Sequence, residues 1–247
     1  MKKTFLVFFS ALLIIGNVSA QKGWQFGVRM MPTNSWLYNV DDADAPKWQY
    51  DYKWSFGATG GLVVGRNFSD HFGLQLNALY SDLGQRHTTK VEGYPDPISY
   101  TQRITYFKFP LMVSLNTNPY KKISYALAFG PQLDVLVNAR SFDTDVRQTT
   151  IDPRITDYPV ENDLYNKTLV SGVIDAGINV RLNYNMHLNL HYRFDYGFTD
   201  VEDKDAFYNV TENGIRKTKR IYDFNRDKSR WVLNSLVVGF TYTLNRY

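Results

Sequence analysis

The sequence predicts an all-β fold: an eight-stranded antiparallel up-and-down transmembrane β-barrel following a cleaved signal peptide. Three observations point there. The N-terminus has the layout of an export signal, eight segments repeat apolar residues at every second position, and the connections between them alternate between short and long.

Lys2 and Lys3 precede "TFLVFFSALLIIG", and "NVSA" leads into Gln21, which places the signal at 1–20 and one barrel domain at 21–247. The apolar run is too short to span a membrane as a helix, and no later run approaches the roughly 18 apolar residues that would. The chain has no cysteine. Disulfides, thiolate metal sites and a lipid anchor at the cleavage point are therefore excluded. The formal charge of +4 falls to +2 once Lys2 and Lys3 are removed, a balance that argues against nucleic acid as a partner. Eighteen tyrosines, sixteen phenylalanines and five tryptophans suit strands and membrane interfaces. A slightly negative mean hydropathy is no objection, because a membrane barrel shows lipid only every second residue.

The eight strands are expected at 23–32, 54–67, 71–82, 100–116, 121–139, 168–183, 185–199 and 230–244. The seventh, "MHLNLHYRFDYGF", is the clearest: Met186, Leu188, Leu190, Tyr192, Phe194 and Tyr196 alternate with His187, Asn189, His191, Arg193 and Asp195. The fourth sets Phe107, Phe109, Leu111 and Val113 against Tyr106, Lys108 and Ser114. The last carries Leu236, Val238, Phe240, Tyr242 and Leu244 on one parity, an apolar-aromatic terminal pattern of the kind barrel-insertion machinery reads. Short connections such as "RNFSD", "NTNPYK" and "YN" alternate with long ones, the rhythm of tight periplasmic turns and extended outer loops.

A soluble lipocalin-like lipid-binding barrel would turn the apolar face inward. Against it stand the strand lengths, the aromatics near strand ends (Trp24, Trp54, Phe72, Tyr80 and Trp231), and polar faces poor in charge. A monomeric barrel in the bacterial outer membrane, surrounded by lipid and lipopolysaccharide, is the expectation.

The stretch "YFKFPLMVSLNTN", 106–118, resembles a strand pattern of the PorT-like outer-membrane β-barrel family, whose members are also labelled porin-family proteins. Tyr106, Phe109, Pro110, Leu111 and Val113 match, while Lys108 stands in a usually acidic place and Ser114 in an often basic one. The following "YALAFGPQLDVLV" is similar to that family's next strand. The resemblance implies an outer-membrane location and, for the family's named members, a part in type IX secretion and gliding, with secretion-apparatus proteins as partners.

Eight strands enclose a space that side chains fill, so an open channel is not expected. Arg29, Lys108, Asp134, Asp175, Arg181, His191, Arg193 and Asp195 fall on the polar parity and would form a lumen charge network, with Asp134 and Asp175 bracketing Arg193 or Arg181. His191 with Asp195 also has the look of a base and its orienting acid, which makes a barrel enzyme the alternative. No nucleophile motif accompanies them, and no catalytic residue, metal site or cofactor is expected. His187 and His191, four apart on a strand, are separated by roughly 13 Å, too far to share a metal ion. Loop binding is expected at Trp36, Tyr38, Trp48 and Tyr50, rigid amphipathic contact groups, and at the basic Arg216, Lys217, Lys219 and Arg220, which suit lipopolysaccharide phosphates.

Overall fold

The computed structural model describes residues 23–40, 51–53, 55–89, 98–117, 121–143, 155–156, 161–212, 215–220 and 227–245. The expected signal at 1–20 lies outside them. The described residues form twelve strands: β1 (Gly23–Tyr38), β2 (Asp51–Lys53), β3 (Ser55–Asn67), β4 (Phe72–Thr89), β5 (Ile98–Asn116), β6 (Ile123–Asp143), β7 (Ile155–Thr156), β8 (Thr168–Arg181), β9 (Met186–Gly197), β10 (Phe207–Glu212), β11 (Ile215–Arg220) and β12 (Arg230–Asn245). Eight of them form a circle in the order β4-β3-β1-β12-β9-β8-β6-β5, and β5 pairs back onto β4. Every pairing is antiparallel, and the sheet is closed. β2 extends the sheet beside β4, and β7, β10 and β11 form a separate three-stranded sheet in the long loops.

Alternation decides which face is which. Along β9, His187, Asn189, His191, Arg193 and Asp195 are buried, and Met186, Leu190 and Tyr192 are exposed. The polar row therefore lines the lumen and the apolar row covers the outside. The other strands agree: Trp24, Phe26, Val28 and Met30 on β1, Phe107, Phe109 and Leu111 on β5, and Leu236 to Leu244 at alternate positions on β12 are all outward and exposed. From Leu236 to Leu244, at about 3.3 Å per residue and a tilt of about 40°, β12 covers roughly 20 Å of a hydrocarbon band about 25 Å tall.

At the short-turn end the chain reverses through residues 68–71 and 182–185, and β5 and β6 also meet there. Phe68 and Ser69 donate backbone bonds to Phe72 there, and the Asn183 side chain accepts from Asn185 and Met186. Arg66 lies over the rings of Trp24 and Phe68 at 5.8 and 5.7 Å, its stem along apolar surface and its head at the water boundary.

The strands outrun expectation at the opposite end. β1 continues to Tyr38, β4 to Thr89 and β6 to Asp143, so 83–89, expected as loop, is strand. β6 at 21 residues is about twice what a tilted strand needs to cross the bilayer. Its extension is bonded to β5 from Thr101 to Thr105, so a hairpin wall stands clear of the apolar band. Apolar alternation marks only the lipid-crossing part, and the pairing continues where the outward residues become polar.

Where β5 and β6 cross the band, Pro110 removes a backbone donor, and Gly130 lies close against the residues that follow it: a Cβ on Gly130 would lie 2.0 Å from the Leu111 carbonyl oxygen. Gly130→Val is expected to destabilise the barrel by about 1–3 kcal/mol, measured by urea unfolding from lipid vesicles. Val238→Arg, on the lipid face, is expected to cost about 2–4 kcal/mol by the same measurement. Full tolerance of arginine at 238 would contradict the outward assignment.

Candidate functional site

Five strands contribute side chains to one polar cluster inside the barrel: Arg29 from β1, Lys108 from β5, Gln132 and Asp134 from β6, Ser171 and Asp175 from β8, and His191, Arg193 and Asp195 from β9. All are buried. Asp175 is gripped twice, by Arg29 at 2.8 Å through Oδ2 and by His191 Nδ1 at 2.5 Å through Oδ1. His191 Nε2 lies 2.9 Å from the Asn179 side-chain oxygen, and Arg29 also faces the Gln75 amide. Asp195 receives a two-point contact from Arg193, Nε at 2.7 Å and Nη2 at 3.2 Å, with Lys108 Nζ at 3.5 Å. Gln132 joins the Asp195 set to Ser171: its oxygen accepts from Arg193, and its nitrogen contacts Asp195 at 3.4 Å and Ser171 at 3.2 Å. Ser171 donates to Asp134 at 2.7 Å.

Three carboxylates thus face two guanidinium groups and one ammonium. Buried charges persist when their partners and hydrogen bonds are supplied together, and this set supplies ion partners to Asp175 and Asp195 and a hydroxyl donor to Asp134. The detail departs from the bracketed arrangement. Asp175 is opposite Arg193 in register, and Asp134 is opposite Lys108, yet Asp175 bonds Arg29 from across the lumen, and Asp134 reaches Arg193 only through Ser171 and Gln132. Closure of the sheet brings Arg29 within reach of a strand it does not pair with. Arg181 stays apart at the short-turn end of β8, opposite His187. His191 bonds Asp175 rather than Asp195.

Toward the short turns the cluster gives way to a polar cavity of about 50 Å³, room for a few waters, lined by groups that include Gln25, Asn67, Asn116, Asn179, His187 and Thr241. Toward the loops it gives way to a hydroxyl chain, Ser235–Thr33–Thr59–Ser81, with spacings of 2.9, 3.1 and 2.7 Å. Beyond that comes an apolar plug. Leu37, Leu83, Ile104, Tyr106, Leu169, Trp231 and Leu233 point inward and pack with Tyr165 and Val201 from the long loops. Trp231, expected at the lipid interface, is 4% exposed inside this plug. The alternation at 230–233 is too short to reveal that the inward row itself becomes apolar.

Trp36 and Tyr38 stand on β1, not in a loop, with ring centroids 6.0 Å apart in an edge-on contact; Trp36 faces outward. That position suits an interfacial girdle. Trp48 and Tyr50 lie outside the described residues. Arg216, Lys217, Lys219 and Arg220 are on β11, hydrogen-bonded in register to β10, and Lys217 is exposed. The basic run is a strand of the loop sheet. Among the described residues, no three His, Cys, Asp or Glu side chains converge as a metal site requires.

Arg193→Met leaves Asp195 with Lys108 as its one cationic partner beside the Gln132 amide, and a loss of about 3–5 kcal/mol is expected by urea unfolding from vesicles. Adding Asp195→Leu is expected to restore most of it. A double variant no more stable than the single one would show that the pair is not coupled.

Among curated proteins, none matches the chain. Solved structures that resemble it include Neisserial surface protein A, at 11% identity over 90% of this chain and 97% of that one, with a TM-score of 0.43. The outer membrane protein OprG from Pseudomonas aeruginosa shares 12% identity over 93% of this chain and 100% of that one, with a TM-score of 0.45. The family model described as "Outer membrane protein beta-barrel domain" matches residues 19–203. The closed eight-stranded sheet with its apolar exterior accords with that match, and the chain belongs to the outer membrane protein β-barrel domain family, a barrel of the bacterial outer membrane.

Proposed function

We propose that this barrel is a structural and binding or assembly component that works at its outer surface, neither conducting solutes through its lumen nor catalysing a reaction. The filled interior carries this reading. Arg193, Tyr106, Lys108, Met31, Leu79, Met112 and Gln132 occupy the lumen with almost no solvent contact, and the plug around Trp231 covers them on the loop side. Solute passage would require breaking the Asp175 and Asp195 contacts and removing the plug. Catalysis finds little support in the lumen hydroxyls. Ser171 donates to Asp134 and Ser235 bonds Thr33, while His191 is engaged by Asp175 and Asn179.

We extend the reading to an accessory role in type IX secretion on the resemblance of 106–118 to PorT-like barrels. The departure at Lys108 is internal: it inverts a charge inside the lumen, where Asp195 answers it, and leaves the outer surface unchanged. Surface partners would meet the loop sheet and the β4–β5–β6 wall.

In planar bilayers the purified protein is expected to give no ohmic current steps; steady porin-like conductance would overturn the closed-lumen reading. Deletion of the gene in a type IX-secreting host is expected to reduce release of secreted cargo. Normal release would remove the accessory role and leave the barrel assignment standing.

A further inference from the structure

The β5–β6 pairing contains one register shift, at Thr105/Tyr106: Thr105 pairs with Asn138, whereas Tyr106 pairs with Leu136. Val137 is the extra residue. Below it, the even positions of β6, Gln132 and Asp134, point into the lumen; above it, Ala139 is buried and Arg140 is exposed on the outside. A bulge re-aims side chains, and this one turns Asn138 and Arg140 onto the outer wall. Without it Arg140 would point into the barrel.

The re-aimed arginine meets another. Arg103 and Arg140 are directly opposite one another on paired strands and share the outward face. Like charges so placed repel. Asp82 on β4 answers Arg103 at 3.0 Å, both groups about two-fifths exposed, and among the described residues no carboxylate reaches Arg140. The site keeps one uncompensated positive charge. Tyr80, Asp82, Arg103, Thr105, Asn138 and Arg140 line a cleft of about 270 Å³ that opens sideways from the wall.

Its height along the wall decides what it meets. Tyr80, Phe107 and Val135 are the last exposed apolar residues on β4, β5 and β6 before Asp82, Thr105 and Asn138, apart from the bulged Val137, and Tyr80 and Phe107 are in edge-on contact with centroids 5.5 Å apart. The cleft therefore sits just beyond the apolar band at the loop end, at the depth of outer-leaflet headgroups, with Phe107, Phe109 and Leu133 running below it toward the bilayer centre.

We propose that this cleft binds the phosphate of a phosphorylated outer-leaflet amphiphile, such as the glucosamine phosphate of lipopolysaccharide. Arg140 and Arg103 supply the charge, Thr105 and Asn138 supply neutral hydrogen bonds, and the acyl chains lie along the apolar wall beneath. A phosphomonoester carries about −1.5 to −2 charges at neutral pH and offers three acceptor oxygens, which suits two forked guanidinium groups. A free anion would gain the charge contacts and none of the wall, so the lipid is the ligand.

The test uses the folded protein in phosphatidylcholine nanodiscs, with retention of diphosphoryl lipid A read by native mass spectrometry. Arg140→Ser is expected to lower retention roughly ten- to a hundredfold, the scale of losing charge-assisted hydrogen bonds, and Arg140→Lys to retain part of it. Arg66→Ser, at the opposite rim, is expected to change nothing, and lipid A stripped of phosphate is expected to bind wild type and Arg140→Ser alike. A heat-modifiable gel band verifies that each variant is folded. Equal retention by Arg140→Ser and wild type would overturn the site, as would an equal loss in Arg66→Ser. Inorganic phosphate binding as tightly as lipid A, in an Arg140-dependent way, would overturn the lipid assignment in favour of a small-anion site.

Discussion

A chain that crosses a hydrocarbon layer must satisfy every backbone N–H and C=O from within itself, and the rest of this structure depends on that constraint. Pairing β5 back onto β4 meets it by leaving the sheet no edge in the lipid. Closure then forces two unlike faces on every strand, because the pleat sends successive side chains to opposite sides. Apolar rows outward and polar rows inward follow without further specification. The prolines show how tightly the constraint binds: ladder pairing is interrupted around Pro32 between β1 and β12 and around Pro110 on both sides of β5, and it resumes in unchanged register within two or three residues.

The lumen follows from the same closure. Enclosed charges cannot reach bulk water, so Asp175 and Asp195 are held by Arg29, His191, Arg193 and Lys108, with Gln132 and Ser171 adding neutral hydrogen bonds. Away from this cluster the interior changes character in both directions, toward amides and a small wet cavity at the turns and toward Trp231, Tyr106 and Leu83 at the loops. The apolar layer packs against Tyr165 and Val201, so the outer loops and the barrel mouth share one core. A passage through such an interior would expose charge and open the mouth together.

On that surface, small backbone events have large chemical effects. One bulge changes the parity of β6 and moves Arg140 from an inward row to an outward one beside Arg103. The strand extensions past the apolar band raise this part of the wall into the headgroup layer. Neither feature alters the barrel's strand number or its core, so polar chemistry can be built at the rim while closure is preserved.

Alternation of the kind in "MHLNLHYRFDYGF", repeated in eight segments, was enough to establish the eight barrel strands and their two faces, because a period of two is local and survives in any closed sheet; the short β2, β7, β10 and β11 were not foreseen. Seven of the eight residues assigned to the lumen charge row fall in the buried cluster for the same reason. Who bonds whom was not legible: Arg29 and Asp175 are 146 positions apart and on strands that are not neighbours, so only closure brings them together. Trp231 reads as an interface aromatic in sequence and is a core residue in space, since parity and burial agree only where the chain's lipid-facing rows have been located. Arg103 and Arg140 carry no local pattern at all, and their opposition exists only through register and one extra residue. The sequence by itself determined the strands and which face of each meets lipid, through periodicity; tertiary structure alone decided the charge pairings, the plug and the outward arginine pair, because each depends on contacts between distant strands.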